Sequence, residues 1–176
     1  MRKLKYFLRI SLSLLLICTA VALLLSAINI ATRDVIAARE QEEREAALTA
    51  LYPTLTEVKD ETDGYPEDVL AVYILYEQEQ LLGHAVELVS RGFGGDIRML
   101  VGVSTDGSVC GTRILAHSET PGLGSRVLEQ AHLLQFVGWQ GGDASVDAIT
   151  GATVSSRAVE RGVALALSLF RGGDAA

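Results

Sequence analysis

Apolar residues cluster near one end of the chain before they begin to alternate with polar ones. From Ile10 to Ala31 the sequence runs ISLSLLLICTAVALLLSAINIA with no charged residue. At about 1.5 Å per helical residue this run can cross a hydrocarbon core of about 30 Å, so the pattern predicts a transmembrane helix. A cleavable signal peptide is the competing reading, because Arg2, Lys3, Lys5 and Arg9 precede the run. The run is longer than the roughly 7–15 apolar residues of a signal-peptide core, and only Leu25-Ser26-Ala27 resembles a cleavage site, which favours a retained anchor. Basic residues before the span outweigh Arg33, Arg39 and Arg44 after it, which lie among acids. That bias predicts a single-pass protein of the cell (inner) membrane, with a cytoplasmic amino end and an extracytoplasmic C-terminal domain.

The pattern then changes. TRDVIAAREQEEREAALTALYP combines helix formers with early acids and a stop at Pro53, and its apolar positions are sparse until Ala46, Leu48 and Leu51. This predicts a solvated stalk helix, followed by a turn-rich linker, KDETDGYPED. Four β segments follow: VLAVYILYE and LLGHAVELVS around a polar turn at Gln78 to Gln80, then DIRMLVGVS and VCGTRILAHS around TDGS. Asp106-Gly107 suits a tight hairpin, and the four segments are expected in meander order. His84, in the second of them, reads as a partly exposed strand residue and not a ligand. LGSRVLEQAHLLQFVGWQGG predicts a helix with Val127, Leu128, His132, Leu133 and Phe136 in helical spacing, ended by Gly138 and the glycine pair at 141–142. A C-terminal amphipathic helix in SSRAVERGVALALSLFRGG puts Val159, Val163, Ala166, Leu167 and Phe170 on one stripe. The chain thus divides into a tail (1–9), a span (10–31), a stalk and linker (32–63) and a folded domain (64–176). The fold class is α+β, an antiparallel sheet with packed helices behind one transmembrane helix.

Charge narrows the range of partners. Of 15 Lys and Arg, four lie in the first nine residues with no acid beside them, leaving eleven cations against 22 Asp and Glu, a net charge of −11 beyond the span. So acidic a domain repels phosphate backbones, and nucleic acid is excluded as a partner. Two cysteines, Cys18 in the span and Cys110 far into the domain, make neither a disulfide nor a metal or iron–sulfur site. Redox chemistry here requires a cofactor.

Two stretches carry candidate chemistry. In AHSETPGLG, residues 116–124, His117, Glu119 and Thr120 offer polar groups while Gly122 and Gly124 bring main-chain amides near a ligand. The alternative is a plain strand-to-helix connection. In VDAITGATVSS, residues 146–156, Ser155 or Ser156 can cap the last helix and Thr153 can support the turn. The same helix start also offers free amides and a positive dipole end to a phosphate, with Gly151 and Ala152 leaving space around the Thr153 hydroxyl. The glycines of SRGFGGD, at 92, 94 and 95, permit a bend or a close approach.

DAITGATVSS resembles the flavinylation signature Asp-x-x-(Ser/Thr)-Gly-Ala-(Thr/Ser) of the FMN-binding domain family, and HSETPGLG resembles that family's flavin-side loop. GFGGDIRMLVGVSTDG precedes them in the family's order, so the resemblance covers about Gly83 to Val163. Within the family the chain is most similar to G subunits of Rnf-type ion-translocating electron transport complexes. C subunits of sodium-translocating NADH:quinone reductases and membrane-anchored modules that hold flavin noncovalently are the alternatives. The resemblance implies FMN joined by a phosphodiester to Thr153, and a separate flavin transferase that reads Asp147, Thr150, Gly151 and Ala152. It further implies that His117, Glu119, Thr120, Gly122 and Leu123 lie beside the flavin, with Thr150, Gly151 and Ala152 around the attachment point. It implies no metal and no catalytic side chain: an electron-transfer protein relaying electrons among other membrane subunits.

Overall fold

The structure, a computed structural model, describes residues 2–62, 64–142 and 147–170. Asp63 in the turn-rich linker, Val146 ahead of the signature and the Arg-Gly-Gly expected to end the last helix lie outside the described residues. The chain forms two compact units, Met1–Glu42 and Glu43–Ala176.

Helix α1 runs unbroken over Arg2–Leu51. Tail, span and stalk differ in composition but share one helix, because no proline or glycine interrupts the sequence before Pro53. Within the first unit, apolar side chains such as Leu12, Leu16 and Leu23 are well exposed. The helix is long and apolar enough to cross a membrane by length and composition.

The second unit contains strands β1 (Glu57–Asp60), β2 (Val69–Glu77), β3 (Gln80–Arg91), β4 (Asp96–Ser104) and β5 (Val109–His117), all antiparallel in the order β1-β2-β3-β4-β5. The expected meander is therefore present, with one strand more than the pattern predicted. β1 has the sequence EVKD and is exposed at every position, so no apolar alternation marks it. It exists because β2 offers a free edge, and Thr56 and Glu61 extend the pairing through amides donated to the Tyr76 and Val72 carbonyls at 2.9 and 2.8 Å. Gln78 and Glu79 turn the β2–β3 hairpin with positive φ, 47° and 72°.

Both faces of the sheet are covered, which is why the central strands read as nearly continuous apolar runs. On one face Val72, Val86, Leu88, Met99 and Val101 pack with Val159, Val163, Ala166 and Leu167 of the C-terminal helix (Thr153–Phe170), α3 in chain order. On the other, Tyr73, Leu75, Ala85 and Leu100 pack with Ala47, Leu48 and Tyr52. The folded unit therefore takes in the end of α1 and β1, upstream of position 64. Glu87, 1% exposed on β3, receives Nε–H bonds from Arg44 at 2.7 Å and Arg98 at 2.6 Å.

The single helix expected after residue 123 is corrected. The segment is a 3₁₀ turn (Gly124–Leu128), the short helix α2 (Gln130–Leu133) and a second 3₁₀ turn (Leu134–Phe136), divided at Glu129, whose backbone is extended. Val127 and Phe136 both enter the core. Nine residues apart, they would face opposite sides of one regular helix of 3.6 residues per turn, so breaking the helix is what lets both be buried.

Candidate functional site

β5 ends at His117, and the chain enters the Ser118–Leu123 loop with Glu119 turned inward, only 4% exposed. Its carboxylate gathers three segments. Oε1 accepts the amides of Phe93 at 2.8 Å and Gly94 at 3.2 Å, and Oε2 accepts the Ser155 hydroxyl at 2.8 Å. Gly92 and Gly124 flank it, and a Cβ at either position would overlap a Glu119 carboxylate oxygen. The His117 Nδ1 accepts the Glu119 amide at 3.2 Å and orients the backbone that carries this carboxylate.

Thr153 is the first residue of α3 and is exposed. Gly151, at φ +86°, makes the sharp turn into the helix that an L side chain would strain. Ser155 and Ser156 do not precede the helix as caps; both lie in its first turn. Ser156 donates to the Ala152 carbonyl at 3.0 Å and accepts the Ile149 amide at 3.3 Å, which secures the turn before the helix, while Ser155 serves Glu119. The Thr153, Val154 and Ser155 amides at the start of α3 have no partner within the helix, whereas that of Ser156 donates to the Ala152 carbonyl at 2.9 Å.

These elements enclose a cavity of about 290 Å³ lined by Phe93, Glu119, Thr120, Leu123, Gly124 and the Gly151–Ser155 turn. Of the residues singled out in the sequence, Glu119, Thr120, Leu123, Gly151, Ala152 and Thr153 meet here. His117, Gly122, Asp147 and Thr150 are not on its wall. Gly122 forms a turn at φ +76°, its amide bonded to the Ser125 hydroxyl at 2.9 Å. Asp147 and Thr150 are exposed, and the Asp147 amide donates to Gln135 Oε1 at 3.1 Å. Gln135 in turn sits 2.9 Å from His132 Nδ1, a ring whose pKa burial lowers.

Gly124, whose amide the sequence reading placed near a ligand, is also on the wall, and Phe93, Val154 and Ser155 complete it without having been singled out as ligands. Phe93 is 74% exposed, and its signal was present: an aromatic residue inside a glycine loop already marked for close approach. Ser155 had no comparable signal, because its partner lies 36 residues away.

Residues 92–168 match the family model described as FMN-binding domain. The chain is similar to the G subunit of the ion-translocating oxidoreductase complex of Shewanella baltica (strain OS223), 33% identical over 91% of this chain and 86% of that one. It is also similar to the protein of the same name from Cereibacter sphaeroides (strain ATCC 17029 / ATH 2.4.9), 32% identical over 85% and 77%. The G subunit of the Na(+)-translocating ferredoxin:NAD(+) oxidoreductase complex of Acetobacterium woodii is 31% identical over 60% and 58%. Among solved structures, Shewanella oneidensis NqrC aligns with TM-score 0.49 and 23% identity, over 61% of this chain and 63% of that one.

Proposed function

The chain belongs to the family of ion-translocating oxidoreductase complex G subunits, and from that premise we propose that it carries FMN on Thr153 and relays electrons within a membrane-bound complex. The observation that carries this reading is an exposed hydroxyl, that of Thr153, on the wall of a cavity at a helix amino terminus. Apolar side chains of Phe93, Leu123 and Val154 supply surface for a planar ring, and the first-turn amides supply donors for a phosphate. At about 290 Å³ the cavity is at the lower edge of small-molecule sites, which run from about 300 Å³. A cavity of this size would enclose part of a flavin and leave part accessible, as an electron relay requires.

Attachment would form a bond between Thr153 Oγ1 and the flavin donor's phosphorus while an existing phosphorus–oxygen bond of that donor breaks. The displaced group would leave with the bonding pair and the Thr153 hydroxyl proton would pass to it or to the transferase, so that the net change is one FMN less one water. A phosphodiester keeps one negative charge, which the α3 amides and dipole stabilise. Exposed Asp147, Thr150 and Gly151, with Ala152 behind them, form the surface a flavin transferase reads. Glu119 and Thr120 give the cavity its polar side, while His117 and Gly122 shape the loop that presents them. When bound, FMN supplies one- and two-electron chemistry, and a link through phosphate leaves its ring free of covalent constraint.

The span at 10–31 anchors the protein, with basic residues 2–9 on the cytoplasmic side and the cofactor domain outside the cytoplasm. Its partners are other subunits of the complex. Intact-mass spectrometry and in-gel flavin fluorescence on denatured full-length protein, produced with a flavin transferase, test the assignment. The expected result is a gain of one FMN less one water on the Thr153 peptide, lost in Thr153→Ala with the fold retained. Flavin that is released on denaturation, or retained by Thr153→Ala, would overturn it.

A further inference from the structure

We infer that Glu119 is a positioning residue, not a flavin ligand: its buried carboxylate fastens the Phe93 loop to the first turn of α3, fixes Phe93 in the cavity wall it shares with Thr153, and holds a negative charge in that wall. The inference rests on the flavin reading above only for the consequence of that charge. The fastening itself rests on geometry.

Three donors from two distant segments converge on two oxygens, and as a carboxylate Glu119 can accept all of them. Among the described residues no Lys, Arg or His lies within ion-pair distance of it. Its compensation is hydrogen bonding together with its position at the α3 amino terminus, where the dipole favours an anion. Gly92 and Gly124 are small where side chains would displace the carboxylate. The Phe93 ring is thus held by its own backbone: 74% exposed, it has little side-chain packing to fix it, and its amide bond to Glu119 sets where the ring emerges. Ser155, two residues beyond Thr153, transmits the same constraint to the attachment helix.

The two roles separate by substitution. In Glu119→Gln the amide oxygen still accepts from Phe93 and Gly94 while the NH₂ group donates to Ser155, so the fastening survives and the charge is lost. Glu119→Ala loses both. Amide hydrogen exchange on full-length protein in detergent, in a Thr153→Ala background that contains no covalent flavin, reads the fastening alone. Loss of charge-assisted bonds should speed exchange across residues 92–95 by about tenfold or more in Glu119→Ala, against less than about threefold in Glu119→Gln. Ser155→Ala, which retains the carboxylate, should speed the same amides by about threefold or more and serves if Glu119→Ala does not fold. The charge is read in flavinylated protein: the Glu119→Gln midpoint potential should move to more positive values, since a negative neighbour disfavours electron addition. Unchanged exchange in Glu119→Ala or Ser155→Ala would overturn the fastening, and an unchanged potential in Glu119→Gln would overturn the charge role. If flavin attachment at Thr153 is itself wrong, the mass experiment above fails while the exchange result stands.

Discussion

His84 stands on β3 with its ring stacked on Phe170 of α3, centroids 4.2 Å apart and planes 18° from parallel. Burial lowers its pKa below the ordinary 6.5, and the charge of Glu61 opposes that shift only in part. The unfolded chain therefore binds a proton at a pH where the folded chain does not. Stability rises with pH while the unfolded state is the more protonated, so the contribution is complete above about pH 6.5 and is lost as pH falls through that value towards the lower folded pKa. His132 is shifted the same way, with Asp147 as the opposing charge. Melting midpoints of full-length protein measured from pH 7.5 down to 5.5 should fall, and His84→Gln should flatten the slope without abolishing it. Tyr73 responds to a different neighbour. Burial first, then the charge of Glu87, push its phenol up to about 12, so it remains a neutral hydroxyl beside the Arg44–Glu87–Arg98 cluster.

At the scale of elements, the β2–β3 hairpin is where local sequence and fold disagree most. Gln78 and Glu79 occupy left-handed backbone, a conformation costing roughly 1–2 kcal/mol for a residue with a side chain. Two-residue loops of this hand match the twist of the paired strands, so the sheet imposes what the residues resist. Glu79→Gly should therefore stabilise the domain by about 1 kcal/mol, read as an upward shift in denaturant midpoint at unchanged slope. The same competition explains what the sequence could and could not reveal. β2 to β5 and α3 were legible because their apolar patterns record burial directly. β1 was not, because its residues bury nothing and only the vacant edge of β2 makes them a strand. The break at Glu129 was hidden among good helix formers, since its cause is the joint burial of Val127 and Phe136. In the site, Thr153 and Glu119 were legible from motif wording, whereas the Ser155–Glu119 and Phe93–Glu119 bonds join positions that only the fold brings together.

For the whole molecule, the boundary of the folded unit carries the sharpest expectation. Starting the domain at position 64, as composition suggests, would remove Ala47, Leu48 and Tyr52 from one face of the sheet, together with Arg44 and β1. Tyr52 alone donates its hydroxyl to the Val103 and His84 carbonyls, 3.1 Å each. Losing large buried side chains costs about 2–5 kcal/mol apiece, comparable in sum with the entire stability of a domain. A protein beginning at Glu43 should melt cooperatively by circular dichroism, and one beginning at Gly64 should not.

The meander has a consequence for how the chain assembles. Every strand pairs with its neighbour in sequence, so the sheet can zip up from short-range contacts as soon as its strands are available, with little loop entropy to overcome. α3 is the last described element, and it brings Thr153, Val154 and Ser155, with Ala152 just ahead of them, to a wall whose other side, Phe93 and Glu119, belongs to segments made earlier. The cavity therefore exists only where α3 is docked on the sheet. Without that contact Thr153 lacks its setting in the cavity wall it shares with Glu119, so the presence of that setting reports that α3 is docked on the sheet.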